Sequence, residues 1–165
     1  MEIRLLNPLD AKNYLDLRLE ALQNSPEAFS SSYEEEKDHP VEKYEIRFRS
    51  QDSFTFGAFE NEKLFGAVTL VKEKKLKLKH RANIFAMYVS PDKRGMGAGK
   101  CLMQEAIKKA KEMVEIEQIY LTVMSTNHSA KRLYSSLGFE IFGTDKRAIK
   151  LNDTYFNEDL MVLFL

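Results

Sequence analysis

A glycine-rich segment, Arg94–Lys100, is the part of the chain whose residues could most readily do chemistry. It lies between an apolar run that ends at Val89 and an amphipathic run that continues to Val114. Glycines lack the Cβ atoms that keep a ligand away from the backbone, and the first amides of a helix have no intrahelical partner. Together with the helix dipole and the cationic side chains of Arg94 and Lys100, these features predict a phosphate or pyrophosphate site.

The glycine spacing excludes two known phosphate-binding loops. A Walker A loop needs four residues between its glycines and Ser or Thr after its lysine, whereas three residues separate Gly95 from Gly99 and Cys101 follows the lysine. The dinucleotide fingerprint fails because a lysine occupies its third glycine position. A third pattern, [Q/R]-x-x-G-x-[G/A], is met by Arg94, Gly97 and Gly99. This short pattern is weak alone, and a strand-to-helix turn without a ligand is the alternative.

The elements that must position this loop follow from alternation and from helical periodicity. Strands are predicted at 2–6, 54–59, 64–71, 82–89, 119–124, 139–143, 148–151 and 155–165, and residues 72–80 suit a strand continuation or a loop. Helices are predicted from Ala11 to Pro26, at 41–49, after the glycine loop to Val114, and at 127–137, with Asp10 as the cap of the first. Early hairpins beside a strand–helix–strand unit predict a mixed α/β sheet with helices on both faces. Without repeats or linkers, residues 1–165 should form one domain.

Composition excludes several classes of protein. Among 165 residues, Lys plus Arg and Asp plus Glu both number 25, which disfavours nucleic acid as a partner. No apolar run approaches the ~20 residues of a membrane span, and the N-terminus does not resemble a signal peptide. The one cysteine, Cys101, cannot form an internal disulfide, and no Cys/His zinc spacing is present, so no metal site is expected. A reducing, cytoplasmic compartment is the expectation.

Two motifs carry a family resemblance. Residues 88–99, YVSPDKRGMGAG, resemble the core motif of the GCN5-related N-acetyltransferases, the GNAT family. Residues 127–139, NHSAKRLYSSLGF, resemble the N-x-x-A-x-x-[L/F]-Y-x-x-x-G-F segment of the same family. Both motifs in order, on compatible elements, are more specific than either alone. The resemblance is strong from about residue 84 to 142 and thin before 54. It implies the acyl-CoA N-acyltransferase fold, a mostly antiparallel sheet with splayed strands, and acetyl-CoA as cosubstrate.

The resemblance also implies how the cosubstrate binds. Strand 82–89 would diverge from strand 119–124, and the pantetheine arm would enter the gap and pair like an extra strand. The loop amides would hold the pyrophosphate, and the Asn127 side chain would contact the arm, although Asn127 is also a good helix N-cap. The cosubstrate-binding residues implied are Met87, Tyr88, Val89, Arg94, Gly95, Met96, Gly97, Ala98, Gly99, Lys100 and Asn127. Ordinary core packing is the alternative for Met87 and Val89.

By the same resemblance, Tyr134 is the catalytic residue. Its hydroxyl would act as general acid toward the leaving thiolate, whereas core packing is the default role of a tyrosine that shares a helical face with Ala130 and Leu137. A neutral amine would attack the thioester directly, and a backbone N–H near Met87 would stabilise the oxyanion. Cys101 is expected to be a packing residue and not a nucleophile.

The general base is left open by the sequence. Residues 83–89 contain no Asp or Glu, although the family often places a glutamate on this strand. Glu34, Glu35 and Glu36 could attract a cationic amine, or they could form a solvated acidic run. His80 and His128 are further candidates whose default is a surface position.

The predicted function is transfer of acetyl from acetyl-CoA to a primary amine of a small molecule or a protein. The alternatives are a protein N-terminal or lysine acetyltransferase, which needs an open groove for a peptide, and a non-catalytic acyl-CoA-binding regulatory module. The apolar segment 160–165 could pair with a second copy in a homodimer, or it could lie wholly inside one sheet.

Overall fold

A seven-stranded mixed sheet forms the centre of the computed structural model, which describes all residues from 1 to 165. The strands are β1 (Glu2–Leu5), β2 (Ser53–Glu60), β3 (Lys63–Lys72), β4 (Arg81–Val89), β5 (Gln118–Met124), β6 (Glu140–Leu151) and β7 (Thr154–Phe164). Their order in the sheet is β1-β2-β3-β4-β5-β7-β6. Only β4 and β5 are parallel, because the chain crosses over between them through a helix, so the predicted mixed, mostly antiparallel sheet is confirmed.

Five helices cover the two faces of this sheet. They are α1 (Ala11–Asn24), α2 (Tyr33–Glu36), α3 (Glu42–Phe48), α4 (Ala98–Glu112) and α5 (His128–Ser136). The apolar stripe of α4 packs with β2 to β5 in the larger core, and α1 and α3 pack on the opposite face around Tyr14 and Tyr44. None of the helices is both long enough and apolar enough to cross a membrane.

Two details near the helix ends correct the sequence-based expectations. Asp10 occupies the N-cap position of α1 but makes no capping hydrogen bond with its side chain; the carboxylate instead pairs with the Arg4 guanidinium at 2.7 Å and accepts the Asn7 N–H at 2.9 Å. This ion pair joins β1 to the 3-10 turn Pro8–Asp10 that precedes α1. Helix α4 ends at Glu112, which leaves Val114, predicted to belong to its apolar stripe, 97% exposed.

Helical periodicity from Ala11 onwards predicts a stripe of Leu15, Leu19 and Leu22, and the buried face of α1 is displaced from it. Tyr14 and Leu17 are buried with Leu22, whereas Leu15 and Leu19 are only half-buried. Helical periodicity allowed either of two adjacent stripes, and the aromatic pair of Tyr14 with Tyr44, 5.0 Å between ring centroids, fixes the one observed.

The C-terminal strands differ from prediction as well. The segments predicted as strands 139–143 and 148–151 form one strand, β6, with register shifts between Ile141 and Gly143 and between Asp145 and Ile149. Strand β7 lies between β5 and β6, so residues 160–162 pair with both neighbouring strands, whereas Leu163 and Phe164 pair with β5 alone. Residues 73–80 form a loop with one 3-10 turn, Leu76–Leu78.

Candidate active site

A gap opens between β4 and β5, the two parallel strands at the centre of the sheet. They pair only at their first residues, where Arg81 is opposite Gln118, Ala82 opposite Ile119 and Asn83 opposite Tyr120. Beyond these pairs the strands diverge, and residues from both, among them Met87 and Met124, line a common cavity. Backbone groups along the diverging halves are therefore free of their usual ladder partner, as a strand-like ligand requires.

A β-bulge in β4 sets the direction of the strand beside this gap. Thr69 is opposite Phe85 and Ala67 is opposite Tyr88, so Ala86 and Met87 together occupy the place opposite one residue of β3. Ala86 has φ 51°, a left-handed conformation that costs an alanine roughly 1–2 kcal/mol. A bulge leaves local ladder groups unpaired, and Ala86 and Met87 both line the cavity.

The bulge also changes which side chains face helix α4. Ala82 and Ile84 pack in the core on the α4 face, and so do Met87 and Val89. Strict alternation would send residues 87 and 89 to the other face, so the extra residue reverses the pattern. Tyr88 consequently packs with α1, where its hydroxyl donates to Glu20 Oε1 at 3.0 Å. Any contact of Tyr88 with a ligand in the gap can only use its backbone.

The predicted anion loop has the geometry that a phosphate cradle needs. Gly95 and Gly97 have φ of 78° and 82°, and a Cβ built at either would meet nothing within 4 Å. The backbone is thus open to a ligand on that side. Helix α4 begins at Ala98, and its first internal bonds include the Cys101 N–H to the Gly97 carbonyl at 3.1 Å. The preceding amides point out of the helix N-terminus, where the dipole favours an anion.

Cationic side chains flank this loop. Arg94 and Lys100 are exposed, and neither forms an ion pair. The Arg94 Nε donates to the Val89 carbonyl at 2.9 Å, which leaves its terminal nitrogens for solvent or a ligand. Lys93 pairs with Glu60 and attaches the loop to β2. Met96 is exposed, whereas the Ala98 side chain is buried in the core, so a contact of Ala98 with a ligand would use its amide.

Gly99 joins the loop to the other parts of the site. A Cβ at this position would lie 3.1 Å from Met87 Cε and 3.3 Å from Leu133 Cδ2. A glycine there lets the first turn of α4 approach both the bulged strand and α5, which carries Tyr134. The two sequence motifs therefore meet in space at Gly99.

Tyr134 lines the cavity from α5 and is 6% exposed. Its ring packs against Phe139 at 6.1 Å between centroids, and no protein group hydrogen-bonds its hydroxyl. Burial raises the pKa of Tyr134 to about 12, so the phenol stays protonated at any physiological pH. The hydroxyl is thus a free hydrogen-bond donor at the wall of the cavity.

Asn127 also lines the cavity, and it caps α5. Its Oδ1 accepts the Ala130 N–H at 3.1 Å, which confirms the N-cap prediction. The Nδ2 group has no protein partner, so the predicted contact with the pantetheine arm remains open to it.

The cavity has a volume of about 420 Å³, within the range of small-molecule sites. Its floor is the β4–β5 gap, and its outer wall comes from the helices on the α1 face, including Tyr14 and Tyr44. The charged side chains that line it are Arg18, Glu36, Lys43, Arg47 and Glu158.

The acidic run 34–36 is divided between different roles. Glu34 pairs with Lys37 and Glu35 caps α2 through Ser32, and neither lines the cavity. Glu36 is buried, and both its oxygens accept from Arg18 at 2.9 Å. Burial opposes ionisation of this carboxyl, but the bonds from Arg18 outweigh it, and the pKa of Glu36 is lowered.

Glu158 is a site residue that the sequence did not indicate. It lies on β7, directly opposite Met124 on β5 and Asp145 on β6, and lines the cavity. No ion pair or hydrogen bond occupies its carboxylate. Burial, with repulsion from Asp145, raises the pKa of Glu158 above its usual range. By contrast, the sequence candidates His80 and His128 do not line the cavity, and Cys101 is a half-buried residue of α4.

A family model described as "Acetyltransferase (GNAT) family" matches residues 19–139. The chain belongs to this family. The predicted family resemblance and fold are therefore confirmed, and the splayed strands, the bulge and the glycine loop lie within the matched region.

Similar proteins include the acetyltransferase PseH of Campylobacter jejuni, 31% identical over 103 residues, and the L-amino acid N-acetyltransferase AaaT of Escherichia coli, 30% identical over 90 residues. These matches span 61% of this chain and 61% of PseH, and 54% of this chain and 55% of AaaT. The chain thus spans little more than half the length of these curated relatives.

Solved structures share the fold over nearly the whole chain. A GNAT-family acetyltransferase from Streptococcus pneumoniae has a TM-score of 0.89 at 25% identity and 99% coverage of both chains. The putative acetyltransferase yncA of Salmonella typhimurium, solved with acetyl-CoA, has a TM-score of 0.87 at 17% identity, over 100% of this chain and 94% of its own.

Proposed function

We propose that the protein transfers the acetyl group of acetyl-CoA to a primary amine of a small molecule. The observation that carries this proposal is the convergence of three features on one gap: the open glycine loop at the start of α4, the bulge in β4, and the Tyr134 hydroxyl in the cavity. Each feature alone has an ordinary structural explanation, but their meeting around Gly99 suits a ligand with a pyrophosphate at one end and a reacting carbonyl at the other.

Acetyl-CoA fits this arrangement residue by residue. The amides of residues 95–100 are suited to the pyrophosphate, with Arg94 and Lys100 as free cations beside them. Backbone groups of residues 87–89, free of pairing with β5, are suited to the pantetheine arm, and the Asn127 Nδ2 can add a side-chain bond. The relative solved with acetyl-CoA shares this fold.

The cavity residues then have distinct tasks in direct transfer. The amine, once neutral, adds to the thioester carbonyl, and a backbone N–H near Met87 stabilises the oxyanion that forms. As the carbon–sulfur bond breaks, the Tyr134 hydroxyl donates to the leaving thiolate. No covalent intermediate on the protein is needed, which agrees with Cys101 lying in α4 away from the cavity lining.

The names of the relatives support an amine acceptor. One is an L-amino acid N-acetyltransferase, and another, of Sulfurisphaera tokodaii, is an N-alpha-acetyltransferase 33% identical over 60 residues. We also propose that residues 1–165 form one GNAT domain that works in the cytoplasm. It rests on a single sheet with strands from Glu2 to Phe164 and on the presence of one cysteine.

The test is amine-dependent release of CoA, with the acetylated amine identified by mass. Primary amines of different charge are incubated with the protein and acetyl-CoA, and acetyl-CoA without amine is the control. Release of CoA in step with product supports the proposal. Binding of acetyl-CoA without product from any amine would favour a non-catalytic acyl-CoA-binding module, and product only with peptides would favour a protein acetyltransferase.

A further inference from the structure

The charged groups of the cavity are separated onto two walls. The wall formed by α1, α2 and α3 carries the cations Arg18, Lys43 and Arg47 and one carboxylate, Glu36. The sheet wall carries one charged group, Glu158 on β7. A small molecule in the cavity would therefore meet positive charge on one side and negative charge on the other.

The two cationic groups of α3 are the ones free to bind a ligand. Arg18 donates two hydrogen bonds of 2.9 Å to Glu36, and this ion pair neutralises one positive and one negative charge of the cavity. Arg47 has no ion pair or hydrogen bond from its side chain, and its guanidinium lies 5.9 Å from the Tyr14 ring and 6.0 Å from the Tyr44 ring. Lys43 contacts only the His39 ring, at 2.9 Å, and the face of Tyr44.

On the sheet wall, Glu158 is the one carboxylate without a protein partner that lines the cavity. It is opposite Met124, which lies on the half of β5 that has separated from β4, and Tyr134 lines the same cavity. If the Tyr134 hydroxyl is to reach the thioester sulfur of acetyl-CoA, the thioester carbonyl must lie in that gap. The acceptor nitrogen that attacks this carbonyl must then lie near the sheet wall of the cavity. An ammonium group there meets a carboxylate, whereas on the helical side it would meet cations.

We infer that the acceptor is a small amine that also carries an anionic group, bound with its nitrogen toward Glu158 and its anion toward Arg47 and Lys43. This inference rests on the proposed function. It replaces the expectation that the acidic run 34–36 attracts a purely cationic amine. Glu158 would take the proton that the ammonium must lose before the nitrogen can attack, which supplies the base that β4 lacks.

The test compares amines that differ in the anionic group alone. L-leucine, L-leucinamide and 3-methylbutylamine share one side chain, and L-phenylalanine, its amide and 2-phenylethylamine form a second set; spermidine is the cationic contrast. The expected kcat/KM is roughly 10- to 100-fold higher for each amino acid than for its amide or decarboxylated amine, as one charge-assisted hydrogen bond implies. Equal or better turnover of the amides, the decarboxylated amines or spermidine would overturn the inference.

Variants at each wall assign the residues. Arg47→Gln should raise KM for the amino acids roughly tenfold or more and remove their advantage over the uncharged analogues, with Arg47→Lys as partial rescue. Arg49→Gln is the matched control, because Arg49 follows the last residue of α3, is exposed and does not line the cavity. An Arg47→Gln enzyme that keeps the same preference would contradict the assignment.

Glu158→Gln should lower kcat roughly 100-fold, with Glu140→Gln, an exposed glutamate of β6, as control. An unchanged kcat in Glu158→Gln would show that Glu158 is not the general base.

Failure of the proposed function and failure of the acceptor inference give different results. If acetyl-CoA does not stabilise the protein and no amine releases CoA, the proposed function is wrong. If acetyl-CoA binds and only amines without an anionic group are acetylated, the function stands and the acceptor inference is wrong.

Discussion

Replacing Tyr134 by phenylalanine removes one hydroxyl and leaves the buried ring against Phe139 in place. The hydroxyl has no protein partner in the cavity, so the free energy of unfolding should change by less than about 1 kcal/mol. Any effect on turnover can then be attributed to chemistry, because packing and folding are preserved.

The size of the effect follows from the pKa of Tyr134, which burial raises to about 12. A thiol titrates near ~8.5, so full proton transfer from this phenol to the thiolate is unfavourable by about 3 to 4 pKa units. The hydroxyl should instead stabilise the developing thiolate by a hydrogen bond. Such a bond to a charged group is worth about 1.5–3 kcal/mol, which corresponds to a 10- to 150-fold loss of kcat in Tyr134→Phe.

The assay measures kcat, KM for acetyl-CoA, and the pH dependence of kcat. The KM for acetyl-CoA should change little, and no fall in kcat due to tyrosine ionisation should appear below about pH 11, because the pKa is about 12. Tyr155→Phe is the control, since Tyr155 is an exposed residue of β7 outside the cavity. Unchanged kcat in Tyr134→Phe, or an alkaline fall centred near pH 9 that this variant abolishes, would refute the reasoning.

Three further predictions concern the loop, the base and the sheet. Gly97→Ala places a side chain at φ 82°, which costs about 1 kcal/mol or more, and should raise Kd for acetyl-CoA while leaving acceptor KM unchanged; equal effects on both would contradict the loop assignment. Because the pKa of Glu158 is raised, ionisation of its carboxyl destabilises the folded protein, and this cost grows as pH rises from the ordinary carboxyl pKa to the raised one. Glu158→Gln should therefore melt no lower than wild type at pH 7, and the difference in Tm should vanish below about pH 4. Asp159→Ala removes the acceptor of Lys131, Ser125 and Thr144 and should destabilise by roughly 3 kcal/mol in urea unfolding; a loss below 1 kcal/mol would show that this network is not structural.

The sequence predicted the parts of the site that depend on local patterns. The glycine loop, the strand before it and the helix after it follow from residue types between positions 81 and 112, and the family motifs add Asn127 and Tyr134. These features are local because a helix N-terminus needs only its own amides and small residues to bind an anion. The family and the mixed sheet could be identified on this basis.

The parts that were missed depend on contacts between distant segments. Glu158 reaches the cavity only because β7 inserts between β5 and β6, which puts a C-terminal residue opposite Met124. Glu36 is not available to attract a cationic ligand because it is paired with Arg18, which lies 18 residues earlier in the chain and reaches it from α1. The bulge at Ala86 could not be predicted from the sequence either. An alanine with a positive φ has no characteristic sequence pattern, and its conformation is set by the register of β4 against β3.

Binding of acetyl-CoA in the gap between β4 and β5 is measured by thermal unfolding of the protein with and without acetyl-CoA. At ~100 times its Kd, a ligand that binds only the folded protein adds about 2.7 kcal/mol, or roughly 5–10 °C in Tm for a chain of this size. We predict this shift with acetyl-CoA, a smaller shift in Gly97→Ala, and none with NADH or ATP. No shift at millimolar acetyl-CoA, or an equal shift with ATP, would contradict this prediction.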